Sequence, residues 1–191
     1  MAHLRVRKPE FNVRAKLNEL DYGHVPYHKM PPGSIIQTVV RTTTNQTNIT
    51  VTGYEPTDIY CTICPKFPSS KILIMVSGGM NGMAGGSEHS YTVLAAKVYR
   101  QNSDSMTSSG YEPVKGDGTD SISVVSQGHQ RTHLDAHKYI PMSINIIDKP
   151  KTTKPITYKV YGSRPHGTNS TVSFVRDSNN QAQMVLMEIK Q

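Results

Sequence analysis

The sequence predicts an all-β protein, an antiparallel jelly-roll-like sandwich preceded by an extended N-terminal arm. Three observations carry this. From Ser34 onward, apolar and polar residues alternate in short runs rich in Val, Ile, Thr and Tyr, the period of a half-buried strand. Clusters of Gly, Pro, Asn, Asp and Ser separate the runs and supply turns. No helical pattern long enough for a crossover lies between them, so the pairing is expected to be mainly antiparallel.

The first 33 residues differ from the rest. They lack alternation and end in "VPYHKMPPG", where Pro26, Pro31, Pro32 and Gly33 impose an extended connector. A short helix over 10–20 would place Phe11, Leu17 and Leu20 on one face. Leu4, Val6 and Val13 add little more, too little for an independent core. Residues 1–33 therefore read as an attachment arm ordered by packing on a partner, with Phe11, Leu17, Leu20 and Tyr22 as anchors.

Residues 34–191 form the predicted head domain. Strands are expected over 34–43, 47–53, 58–64, 71–77, 91–100, 121–127, 140–148, 156–163, 171–177 and 183–190. The segment "GGMNGMAGG", 78–86, is expected to be a loop. It matches neither phosphate-cradling glycine pattern. "KGDGTD" lacks the order of a calcium loop and reads as a surface turn.

Composition narrows the function. Hydrophobic residues make up 36%, and there are ten Tyr, three Phe and no Trp, which suits short strands better than large buried helices. The net charge is +7, but Lys and Arg are scattered, so no nucleic-acid partner is expected. No window approaches the ~20 apolar residues of a membrane span, and "MAHLRVRKPEF" contains no signal-like apolar run.

Two motifs suggest metal chemistry. "CTIC" has zinc-site spacing, but on an alternating strand Cys61 shares a face with Ile59 and Ile63 while Cys64 points away. "HQRTHLDAH" would stack His129, His133 and His137 on a helix. Gln130 stands where a zinc protease needs its Glu base, Gly128 precedes the segment, and "KYIPMSINIID" enters a strand. No metal or cofactor is expected, and those three histidines are the residues that would hold one. They either line a loop or gather at a symmetry axis. No nucleophile, base and orienter assemble, so no enzyme is predicted.

Five ordered elements carry a resemblance: Gly33 to Gln37, Ser69 to Ile74, Leu134 with Asp135, Ile156 to Val160, and Leu186 to Ile189. Together they resemble a β-sandwich (jelly-roll) module of tailed-bacteriophage fibres and head-decoration proteins, of the marine phage type. That resemblance covers residues 32–190. It implies a homotrimer in the virion, assembled in the cytoplasm of the bacterial host, contacting other capsid or tail proteins and a host surface polysaccharide. The alternative is a soluble, lectin-like carbohydrate-binding jelly roll. Tyr91, Tyr99 and Tyr111 are the expected recognition residues under either reading.

Overall fold

The computed structural model describes residues 26–83, 91–102, 111–114, 128–131, 137–166, 171–175 and 180–191. Among the described residues eleven strands follow a single 3-10 turn at Tyr27–Lys29: β1 (Ile35–Thr43), β2 (Thr47–Ile49), β3 (Glu55–Ile63), β4 (Lys71–Met83), β5 (Tyr91–Asn102), β6 (Tyr111–Pro113), β7 (Gly128–Arg131), β8 (His137–Asp148), β9 (Ile156–His166), β10 (Thr171–Phe174) and β11 (Ala182–Ile189).

Every pairing among them is antiparallel. The six-stranded sheet is organised by the long β4. One edge of β4 pairs with β8 along almost its whole length. Its other edge takes β11 over Lys71–Ser77 and then β10 over Met80–Met83. Beyond these, β1 extends β11 and β2 extends β10. The five-stranded sheet repeats the device around β5, which pairs with β9 on one side. On its other side β5 carries β7 at its start and β6 near its end. Beyond β9 lies β3.

Alternation makes the core. Ile72, Ile74 and Val76 of β4, Met184 and Leu186 of β11, and Met142 and Ile144 of β8 face Ile59, Cys61 and Ile63 of β3, Ile156 and Val160 of β9, and Leu94, Ala96 and Val98 of β5. Each of the larger aliphatic side chains contributes about 2 kcal/mol of transfer free energy. Carboxylates buried at the sandwich ends are fully bonded. Glu188, with no exposed surface, accepts from Gln37 Nε2 (2.6 Å), Ser70 Oγ (2.7 Å) and the backbone N–H groups of Lys66 (2.8 Å) and Phe67 (3.2 Å).

Two seams tie the sheets. At one edge Arg41 of β1 donates to the carbonyls of Asp58 and Tyr60 of β3, while Asp58 accepts from Thr43 Oγ1 (2.8 Å) and Asn45 Nδ2 (2.8 Å). At the other, Arg100 of β5 donates to both oxygens of Asp148 of β8 (3.0 and 2.9 Å), and the Tyr158 hydroxyl of β9 donates to the same carboxylate (2.8 Å).

The alternating strands stand where the sequence places them, apart from 121–127, which lies outside the described residues. One expectation is corrected. Residues 78–83 of the glycine-rich segment continue β4 rather than forming a loop. A Cβ on Gly78 would meet Ala182 Cβ of the neighbouring strand at 2.9 Å, so glycine there permits close strand approach, not a turn. Short strands β6 and β7 were not anticipated.

The histidine segment is not helical among the described residues, as its sequence indicates, and the loop reading is corrected for two of the three. His129 sits on β7 in the five-stranded sheet and His137 on β8 in the six-stranded one, while His133 lies outside the described residues. Glycine and a run of alternating residues set these segments into strands. The cysteines separate as the alternation requires, with Cys61 buried and Cys64 exposed.

Candidate functional site

The outer face of the five-stranded sheet holds the most distinctive chemistry. On β9 the even positions Ile156, Tyr158 and Val160 are buried, which turns Thr157, Lys159 and Tyr161 outward. On β5 burial of Ala96 and Val98 turns Lys97, Tyr99 and Gln101 outward in the same way. The strands pair with Lys97 opposite Tyr161 and Tyr99 opposite Lys159. Tyr60 of β3 stands across from Lys159, so one row reads Tyr60, Lys159, Tyr99 over three strands. Ring and cation alternate as on a checkerboard.

The rings touch one another. Tyr99 and Tyr161 have centroids 4.2 Å apart, Tyr111 of β6 lies 5.6 Å from Tyr161, and Tyr54, just before β3, lies 6.4 Å from Tyr99. Cations lie over the rim: Lys97 Nζ is 4.3 Å from the Tyr54 ring centre, Lys159 Nζ is 5.4 Å from that of Tyr60, and the Arg41 guanidinium carbon is 3.3 Å from that same Tyr60 centre. All of these side chains are half-buried, so ring edges and cationic heads remain accessible.

Burial raises the Tyr54, Tyr99, Tyr111 and Tyr161 hydroxyls above their usual 10.0. Neighbouring tyrosines add to this: Tyr99 at Tyr54, Tyr60 at Tyr111, and Tyr111 and then Tyr99 at Tyr161. The hydroxyls therefore stay protonated at neutral pH and offer both donors and acceptors. Such a face can stack against a flat apolar surface, bond hydroxyl groups and attract negative charge.

The opposite outer face, on the six-stranded sheet, carries two largely apolar rows beside the polar row Thr42, Gln183, Ser77 and Ser143. Val40, Val185 and Met75 form one row with Asn145, and Met187, Leu73 and Ile147 form the next with Thr38. Ile35 and Ile189 pair at the end of the sheet. Ile35 is 55% exposed, Val40 50% and Met75 38%. By strand spacing and rise these rows span roughly 200–300 Å².

The chain enters the sandwich at this apolar end. Gly33 N–H donates to the Lys190 carbonyl (2.8 Å), and Lys190 N–H donates to the Ser34 carbonyl (2.9 Å). The Lys190 ammonium donates to the carbonyls of His28 and Met30. Gly33 has φ +88°, a left-handed conformation that favours glycine at the corner.

Of the expected recognition residues, Tyr99 and Tyr111 come together through Tyr161. Tyr91 begins β5, about 25 Å along the strand from Tyr99. Phe11, Leu17, Leu20 and Tyr22 lie outside the described residues. Sequence reasoning did not single out Tyr54, Tyr161, Lys97 or Lys159. A signal was present: Lys-Val-Tyr occurs twice, at 97–99 and 159–161. Two copies of that tripeptide on antiparallel neighbours in this register generate the checkerboard. Among the described residues no group of His, Cys, Asp and Glu could hold a metal ion, and no helix is long and apolar enough to cross a membrane.

Fold and site thus define an antiparallel β-sandwich with one tyrosine- and lysine-lined outer face and one outer face with two largely apolar rows. No family model and no curated protein matches the chain. Solved structures of infectious bursal disease virus are similar to it. The T13 particle matches with 15% identity over 82% of this chain, at a TM-score of 0.36. Virus-derived T=1 particles match with 14% identity over 83%, at 0.37, and the VP2 subviral particle with 13% over 83%, at 0.35. This chain spans little more than a third of theirs: 36%, 37% and 39%.

Proposed function

We propose that the chain is a non-enzymatic structural protein of a bacteriophage virion: a short fibre, knob or decoration protein joined to the particle by its N-terminal arm. Its β head forms a homotrimer that contacts the host surface or reinforces the shell. The ordered strand motifs that resemble phage fibre and decoration modules support this reading. The observation that carries it is the pair of largely apolar rows on the outer face of the six-stranded sheet, with Ile35, Val40 and Met75 exposed beside four or more half-buried apolar neighbours.

The occupant of that face is the arm of a neighbouring copy. A patch of roughly 200–300 Å² is far below the ~800 Å² per partner that a stable globular interface buries. It matches what a short apolar segment covers. Residues 1–25 supply Leu4, Val6, Phe11, Val13, Leu17 and Leu20. They join the described chain at Pro26, close to the residues that Lys190 holds beside Ile35 and Ile189. Fully extended they reach ~80 Å, several times the width of their own face, which lets them cross to the next subunit.

Removal of residues 1–25 is the test, because 28–34 are stitched to β11 and must stay. The truncated chain should fold, lose arm-dependent association and fail to enter particles. Normal incorporation of the truncated chain would end this reading.

A soluble carbohydrate-binding module is the second reading, and the tyrosine face is the observation that favours it. Such a module would bind glycan equally well without the arm and would be absent from particles.

A further inference from the structure

We infer that the tyrosine- and lysine-lined face of the five-stranded sheet binds an acidic polysaccharide, of the linear polyuronate class. The inference deepens the recognition role given to the head and names its face and ligand chemistry.

The geometry selects the ligand in three steps. First, Tyr54, Tyr99, Tyr111 and Tyr161 form a contiguous cluster with centroid separations of 4.2–6.4 Å, and their half-buried rings present an apolar surface interrupted by hydroxyls. A sugar ring has matching chemistry, an apolar C–H face edged by hydroxyls. Second, Lys97 and Lys159 lie diagonally across β5 and β9, about 7–8 Å apart at the backbone, inside the tyrosine cluster. Two cations at that spacing suit a polymer with one carboxylate on each ring. Third, the acidic groups of these strands are engaged or lie on the inner face. Glu112 pairs with Arg100 and lies 3.8 Å from it, Asp58 is bonded to Thr43 and Asn45, and Glu55 pairs with Gly162, whose Cβ position faces the buried Phe174.

A single-stranded nucleic acid is the competing polyanion, since it also stacks on sheet aromatics. Here the rings lean on one another at 36–53° rather than standing apart as base platforms. Two lysines also give too sparse a charge for a phosphate backbone. The observations favour the glycan.

The full chain is measured on immobilised sodium alginate, on neutral dextran and on single-stranded poly(dT). Alginate should bind most tightly, and its affinity should fall as salt is raised. Lys97→Gln with Lys159→Gln should weaken alginate binding about tenfold, two screened ion contacts at roughly half a decade each. The control pair Lys66→Gln with Lys71→Gln removes the same charge away from this face and should change little. Tyr161→Leu should weaken alginate and dextran alike.

Equal losses from both lysine pairs would reduce the effect to bulk charge and overturn the inference. So would dextran or poly(dT) binding as tightly as alginate, or alginate binding indifferent to salt, a readout on the unmodified chain that needs no variant to fold. Particle incorporation is scored separately. A chain that enters particles but ignores alginate sinks the glycan inference alone, and one that binds alginate but never enters particles sinks the virion reading alone.

Discussion

Asp148 shows how much one residue can join. Its carboxylate, 6% exposed, belongs to the six-stranded sheet, and among the described residues it accepts three hydrogen bonds, from Arg100 and Tyr158 of the other sheet. Burial raises the Tyr158 hydroxyl well above its usual 10.0, and the charge and hydrogen bond of Asp148 raise it further, while Arg100 opposes them. Because the folded value lies above the unfolded one, the stabilisation is fully present below pH 10.0 and is lost as pH climbs toward the folded value. Tyr158→Phe should therefore cost about 1 kcal/mol at neutral pH. It should also make the alkaline decline shallower than in the unmodified chain, though not flat, because Tyr54, Tyr99, Tyr111 and Tyr161 are raised too. Urea unfolding between neutral pH and the alkaline range reads both effects. Parallel declines in the two proteins would mean that Tyr158 does not couple folding to pH.

At the scale of elements, glycines mark where strands from different sheets approach. A Cβ on Gly162 of β9 would fall 2.2 Å and 2.7 Å from ring atoms of Phe174 on β10 and 3.1 Å from Ile49 on β2. Phe174 and Ile49 are both buried, with 0% and 1% exposure, so neither can withdraw. Gly162→Ala should destabilise by roughly 3 kcal/mol, at the upper end of overpacking costs. Gly79 of β4 has nothing within 4 Å of the corresponding position. Gly79→Ala should be neutral or stabilise by about 0.5 kcal/mol, through a less flexible unfolded chain. Similar denaturation midpoints for the two variants would refute this account. Glycines also limited what was legible in the sequence. Alternation exposed the strands from β1 to β11 wherever they ran five or more residues. Gly78, Gly79 and Gly82 hid the second half of β4, because a glycine inside a strand, such as Gly78 packed on Ala182, reads like a glycine serving a turn. β2 and β10 are as short as β6 and β7 but lie in longer alternating runs, "TNITVTG" and "TVSFVRD", whereas "YEP" and "GHQR" show no apolar alternation. The tyrosine face was half legible. The outward positions of β5 and β9 follow from alternation, but the register that sets Lys97 against Tyr161 is a long-range fact. Arg100 and Asp148, 48 residues apart, carry no local mark of their pairing.

For the whole molecule, the sandwich is two-sided in its chemistry, and the sides should be separable by mutation. Val40 and Met75 occupy one row of the six-stranded sheet, either side of Val185, and are 50% and 38% exposed. Neither belongs to the buried core, so polar replacements there leave the packing between the sheets intact. Val40→Gln with Met75→Gln should shift the unfolding midpoint by no more than a few degrees. If the arm of a neighbouring copy lies on this row, the same pair should abolish association in sedimentation, as removal of residues 1–25 should. Combining the two changes should add nothing, because both delete one contact. The tyrosine face, on the other sheet, should keep its alginate affinity per head while losing the gain that several heads in one assembly provide. Three outcomes are decisive. Association that survives the double replacement removes the apolar row as the joining surface. Additive losses place the arm elsewhere. A head that loses glycan binding with the row would mean that the two faces are not independent.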